Sequence, residues 1–178
     1  MRPALAFVPA FREAEALERL SAELGLPGPA RLEGHDPHGR PRARCGEAPV
    51  PVSLSRCGSA CAVALGRSGR IGVDLVDPGS SLPSPDLLDL ATSFERAWIG
   101  ELREDPRRRL LELWACREAL LKALGLGLAL DPGAVELDRD LRPVRVLGSP
   151  SPPQGWRVET GEGTGIAGGM IVALAWTD

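Results

Sequence analysis

At 178 residues the chain makes one large domain or two small halves, with ample material for a buried core. Hydrophobic residues at 43% and charged residues at 25% fit a soluble globular protein, and a net charge of -3 argues against a general nucleic-acid binder. No apolar run reaches the ~18 residues a membrane span needs and no signal-peptide pattern opens the chain, so no membrane association and a cytoplasmic location are expected.

The chain opens with an apolar segment, Ala4 to Val8, a strand candidate. Phe11 to Leu24 follows as a helix, with Leu17, Leu20 and Leu24 on one face and Gly25 closing it. Asp36 to Gly46 is expected to be a turn-rich polar loop. It holds Arg40, Arg42 and Arg44, with Arg31 upstream, and His35 and His38 are read as solvated. Arg40 stands out because Gly39 and Pro41, on either side, both fix backbone direction.

Val50 to Leu65 is expected to form two strands around a Gly58-Ser59 turn, the first ending on Ser53, Ser55 and Arg56. A turn at Gly66 to Arg70 leads to the strand Ile71 to Val76, whose apolar run is interrupted by Asp74. A carboxylate in such a place is either hydrogen-bonded or serves a metal. Pro78 to Pro85 is a candidate hinge loop, and Leu87 to Glu104 a helical stretch. Val135 to Leu137 and Val144 to Leu147 suggest a hairpin, and Trp156 to Thr160 and Ile171 to Trp176 complete a set of antiparallel strands. Cys45, Cys57, Cys61 and Cys116 show no CxxC spacing, so reduced thiols rather than zinc or disulfides are expected.

Leu110 to Leu128 organises the rest. Leu110, Leu113, Trp114, Leu121 and Leu124 form an apolar stripe at helical period, Pro106 suits the helix start, and Gly125 and Gly127 suit its end. Glu118 and Lys122, four apart at the edge of that stripe, are either a surface ion pair or an acid and an amine facing a cleft. Of the 21 basic residues, Lys122 is the only lysine. A chain that otherwise writes positive charge as the planar arginine fork uses here a compact ammonium with three donors.

GVDLVD (Gly72 to Asp77) followed by WACREALLKALGLGL (Trp114 to Leu128) resembles the 4'-phosphopantetheinyl transferase family. The family patterns are GxDxE and WxxKExxxKxxGxGL. GRP (Gly39 to Pro41), SLSR (Ser53 to Arg56) and SFERAWI (Ser93 to Ile99) resemble further family segments, in order, from about Asp36 to Leu130. The likeness is to the larger, pseudo-dimeric, Sfp-like branch. It implies an α+β fold of two similar halves, residues 1–70 and 71–178, with coenzyme A bound between them.

The implied reaction transfers phosphopantetheine from coenzyme A to a serine of an apo acyl or peptidyl carrier protein. The implied roles are Glu118 and Lys122 in catalysis, Asp74 and Glu118 on Mg²⁺, and Arg40, Ser55 and Arg56 on coenzyme A. A monomer is expected. The sequence departs from the family at three places. Val76 stands where a second acid is usual, Arg56 stands where histidine is usual, and the N-terminal half is short. Arg12 and Arg19 are the candidates for its missing basic segment. The alternative is a non-catalytic relative that binds coenzyme A or a carrier protein without turnover.

Overall fold

Alternation builds the first sheet. A computed structural model of the chain describes residues 1–79, 88–89, 91–102, 106–126, 134–146 and 154–178. Strand β1 (Ala4–Pro9) turns Ala4, Ala6 and Val8 to one face, and Leu5 and Phe7 to the other. Helix α1 (Glu13–Glu23) lays Ala16, Leu17 and Leu20 on the first of these faces. The helix begins at Glu13 rather than Phe11, which sits at a φ of 72° just before it.

Residues 36–46, expected to be a loop throughout, are a turn followed by a strand. β2 (Ala30–His35), β3 (Pro41–Cys45) and β4 (Ala48–Val50) form an antiparallel sheet in that order. Asp36 Oδ1 accepts the amides of His38 and Arg40 at 2.8 and 2.9 Å, so the turn closes within five residues. Beyond it Ala43 and Cys45 are buried while Arg42 and Arg44 point outward. That is period-two alternation, hidden in the sequence by polar residues and prolines.

β5 (Val52–Cys57) and β6 (Ala60–Leu65) form the expected hairpin, and the sheet runs β1-β6-β5. β7 (Ile71–Val76) joins β11 (Ile171–Trp176) and β10 (Arg157–Glu162) in a second antiparallel sheet ordered β10-β11-β7. The two sheets meet through Ala60, Ala62 and Ala64 on one side and Ile71, Val73, Leu75, Val172, Leu174 and Trp176 on the other. Alanines on the facing strand let the sheets approach closely.

Between β5 and β7 the backbone makes no ladder; hydroxyls take its place. Ser53 Oγ accepts the Val73 amide at 3.0 Å, and Ser55 Oγ accepts the Leu75 amide at 3.1 Å. Two serines spaced i, i+2 thus satisfy successive amides along the edge of β7.

The other face of β7 receives helix α3 (Pro106–Leu124), which fills the expected Leu110–Leu124 span and starts at Pro106. The helix fits because of Gly72: a Cβ there would lie 1.9 Å from Ala119 O and 2.7 Å from Ala123 N. Gly125 ends the helix at a φ of 79°. Residues 127 and 128 lie outside the described residues.

Helix α2 (Ser93–Ile99) is shorter than the expected span of residues 87–104 and ends at Gly100, where the described chain turns away; residues 87, 90 and 103–105 lie outside the described residues. Most of the hinge expected at residues 78–85 does so as well. Thr92 and Glu95 form a reciprocal capping box at its start. β8 (Val135–Leu137) and β9 (Pro143–Val146) make a hairpin beside α3, with residue 147 outside the described residues. The fold is α+β, and no helix among the described residues is long and apolar enough to cross a membrane.

Candidate functional site

Asp74 leaves β7 on the α3 face, buried to 7% exposure. Its Oδ1 accepts from Ser55 Oγ at 2.9 Å and from Lys122 Nζ at 2.6 Å. Lys122 also donates to Ser55 Oγ at 3.0 Å and to Val73 O at 3.1 Å. All three ammonium donors are therefore used, and the Ser55 hydroxyl donates once and accepts twice. Buried polar groups hold their geometry when satisfied, and here every donor of Lys122 and Ser55 is used.

Glu118 lies one turn before Lys122 on α3 and is 7% exposed. Its carboxylate has no hydrogen bond among the described residues. Burial pushes its pKa up, the Asp74 charge adds to the rise, and Lys122 and Arg117 offset only part of it. Asp74, Glu118, Lys122, Ser55 and Arg56 all line one cleft of about 420 Å³, walled also by Trp114 and Val76.

No group of three or more His, Cys, Asp or Glu able to hold a metal occurs among the described residues. The cleft offers two carboxylates, and both Asp74 Oδ2 and the Glu118 oxygens lack hydrogen-bond donors among the described residues. That donor set fits a hard cation such as Mg²⁺, which takes one or two carboxylates and keeps its waters. Val76, two residues from Asp74 on the same face, packs into the core with Ala173 and Ile171 and supplies no oxygen. Alternation along a strand would turn Asp77 away, but β7 ends at Val76 and Asp77 also lines the cleft. There its Oδ1 accepts the Gly79 amide at 2.8 Å, closing a local turn.

Arg56 is half-exposed at the cleft wall. Its Nε and Nη2 both donate to Glu13 Oε1, at 2.7 and 2.6 Å, and its guanidinium sits 5.9 Å from the centre of the Phe11 ring. Burial tends to raise the Glu13 carboxyl, but the backbone hydrogen bonds and the Arg56 guanidinium outweigh it and hold it below the usual carboxylate range. Glu13 was not a candidate from sequence; the one available signal was an acid at the first helical position, which ordinarily serves the helix dipole.

Arg40 is not brought to this cleft. It pairs with Asp36 at 3.1 Å, lies against Gly125 at the end of α3, and lines a second cavity of about 530 Å³ with Arg42, Arg44 and Arg70. The two cavities lie along the seam between β5, β7 and α3. Val52, Ile71 and Ala123 line the second; Ser55 and Asp74, three residues further along β5 and β7, and Lys122, adjacent to Ala123 on α3, line the first. Arg12 pairs with Glu15 and is exposed, Arg19 is exposed, and neither lines the two cavities. A buried ion pair also escaped sequence reading: Arg117 donates to Glu95 at 2.5 Å, both essentially without exposure.

Comparison with known proteins bears on this geometry. The family model for the 4'-phosphopantetheinyl transferase superfamily matches residues 70–175. A protein of Synechocystis (strain PCC 6803), named "Putative 4'-phosphopantetheinyl transferase", is 30% identical over 132 residues, covering 71% of this chain and 52% of its own length. The chain therefore spans about half the length of that curated relative.

Proposed function

The chain belongs to the 4'-phosphopantetheinyl transferase superfamily, and from that premise we propose that it moves the 4'-phosphopantetheine group of coenzyme A onto a serine of an apo carrier protein. The observation that carries this reading is the convergence of Asp74, Glu118, Lys122 and Ser55 on one cleft. The carrier's serine oxygen attacks the β-phosphorus, the phosphoanhydride bond breaks, and 3',5'-ADP leaves with the bonding electrons. Glu118 takes the serine proton, directly or through a water, and burial shifts its pKa upward, the direction that strengthens a carboxylate as a base.

Phosphoryl transfer asks a protein chiefly for positioning and charge neutralisation. Asp74 and Glu118 would hold Mg²⁺, which when bound neutralises phosphate charge. Lys122 fixes the Asp74 carboxylate on one oxygen and leaves the other for the metal. Its positive charge also stays beside the departing phosphate. Arg56 would meet the 3'-phosphate, with Ser55, whose one proton goes to Asp74, holding the strand beside it, and Arg40 the phosphates at the other end of the seam, since a guanidinium grips phosphate bidentately. The reading takes the enzyme to be a cytoplasmic monomer of the Sfp-like branch, with residues 1–70 and 71–178 as its two halves.

The test is incubation with coenzyme A, Mg²⁺ and an apo carrier protein, followed by intact-mass measurement of the carrier. A gain of one phosphopantetheine is expected. Coenzyme A binding without any gain, across carriers of fatty-acid, polyketide and peptide synthesis, would instead identify a non-catalytic relative.

A further inference from the structure

Arg56 is held from behind. Two of its nitrogens, Nε and Nη2, are committed to a single oxygen of Glu13, and its Cζ lies over the Phe11 ring, 5.9 Å from the centroid. Glu13 is 8% exposed in its side chain and does not itself line the cleft, whereas Arg56 does. Phe11 stands at a φ of 72°, which few non-glycine residues adopt, with its ring 86% exposed. An exposed aromatic on an uncommon backbone conformation, beside a guanidinium, is otherwise unexplained by packing. The remaining guanidinium edge, Nη1, has no hydrogen bond among the described residues.

We propose that Glu13, with Phe11, is a positioning residue that fixes the Arg56 guanidinium so that its free edge meets the 3'-phosphate of coenzyme A. The proposal rests on the function assigned above. A long arginine side chain loses rotamer freedom when it clamps a ligand, and one already held has lost that freedom beforehand. Glu13 also carries a negative charge, which by itself repels a phosphate. Its place behind the guanidinium, outside the cleft, keeps the arginine between the two anions, so the ordering effect dominates.

Calorimetric titration of the whole chain with coenzyme A and with dephospho-coenzyme A, without metal, separates the cases, because the two ligands differ only at the 3'-phosphate. The parent is expected to prefer coenzyme A, and Arg56→Ala to remove most of the preference. Glu13→Ala should lower the preference by about two- to fivefold, the range of a half-exposed ion pair. Glu13→Gln, which keeps an acceptor oxygen in place, should recover part of it. Glu13→Ala should change nothing further in the Arg56→Ala background. Phe11→Ala, whose ring is exposed and outside the core, should lower the preference by about twofold, and it keeps the test open should Glu13→Ala not fold. If Arg56→Ala reduces the preference while Glu13→Ala and Phe11→Ala leave it unchanged, raise it, or weaken both ligands equally, positioning by Glu13 is wrong. If Arg56→Ala itself leaves the preference intact, the 3'-phosphate role of Arg56 fails first and the proposal falls with it.

Discussion

Lys122 Nζ donates to Asp74 Oδ1 across 2.6 Å, tying helix α3 to strand β7 over 48 residues of chain. Lys122→Met should therefore strand the Asp74 carboxylate beside Glu118 and lower stability by on the order of 1–3 kcal/mol. Lys122→Arg should recover little, because a planar fork cannot aim donors at Ser55 Oγ, Val73 O and Asp74 Oδ1 at once. Urea unfolding of the three proteins decides the matter. Full recovery by arginine would show that charge alone, not donor geometry, is what Lys122 supplies.

Glu118→Gln should lower turnover at least ~100-fold, the loss expected of a general base. Its effect on stability has a definite sign. Burial raises the pKa of the folded Glu118, so between the unfolded and the folded value the folded chain holds a proton that the unfolded chain has released. Glu118 thus favours folding below the ordinary carboxylate pKa, and that contribution is lost as pH rises through the raised value. Without metal, Glu118→Gln should melt higher than the parent near pH 7.5, with the gap closing toward pH 4. A gap that widens on acidification contradicts the shift.

Val76→Glu would put a third carboxylate two residues from Asp74 at a site that is 6% exposed. Without metal this should cost roughly 1–3 kcal/mol, as burying an unpaired acid does. Mg²⁺ should restore the loss and bind more tightly than to the parent. Thermal melts at several Mg²⁺ concentrations give both numbers, and metal-independent destabilisation would mean that the new side chain does not reach the site.

Gly72→Ala places a methyl group against the backbone of Ala119 and Ala123. Neither contact can yield by a side-chain rotation, so α3 must move off β7, at a cost of about 3 kcal/mol. Because Glu118 and Lys122 ride on α3, turnover should fall further than the remaining folded fraction explains. Parallel circular dichroism and activity measurements test it.

Much of this molecule was legible in its residues. α3 announces itself through leucine spacing, a leading proline and a closing glycine, and the β5–β6 hairpin through small residues between apolar runs. β3 was missed because its outward positions are arginines and its first residue is proline, so the alternation of Ala43 and Cys45 is too short to stand out. Phe11 reads as part of the helix because propensity says nothing about a single residue at positive φ.

At the site, Asp74, Glu118 and Lys122 line one cleft, and only the four-residue step from Glu118 to Lys122 could be read from spacing. What spacing could not supply was partnership. Glu13 and Arg56 are 43 residues apart, and Glu95 and Arg117 are 22 apart; such pairs exist only once the chain has folded. Arg40 lies at the other end of the seam for the same reason, since its turn, and not its neighbours, decides where it points.

The single lysine has a practical outcome. Apart from the amino group of Met1, which pairs with Asp178, the chain holds one primary amine, and it lies in the cleft with every donor occupied. Within this sequence an amine-selective label on a side chain therefore reports on one atom, Lys122 Nζ. The rate at which the Lys122 label appears in a mass spectrum becomes a direct footprint of the cleft, slowed by whatever occupies it and hastened by whatever loosens Asp74.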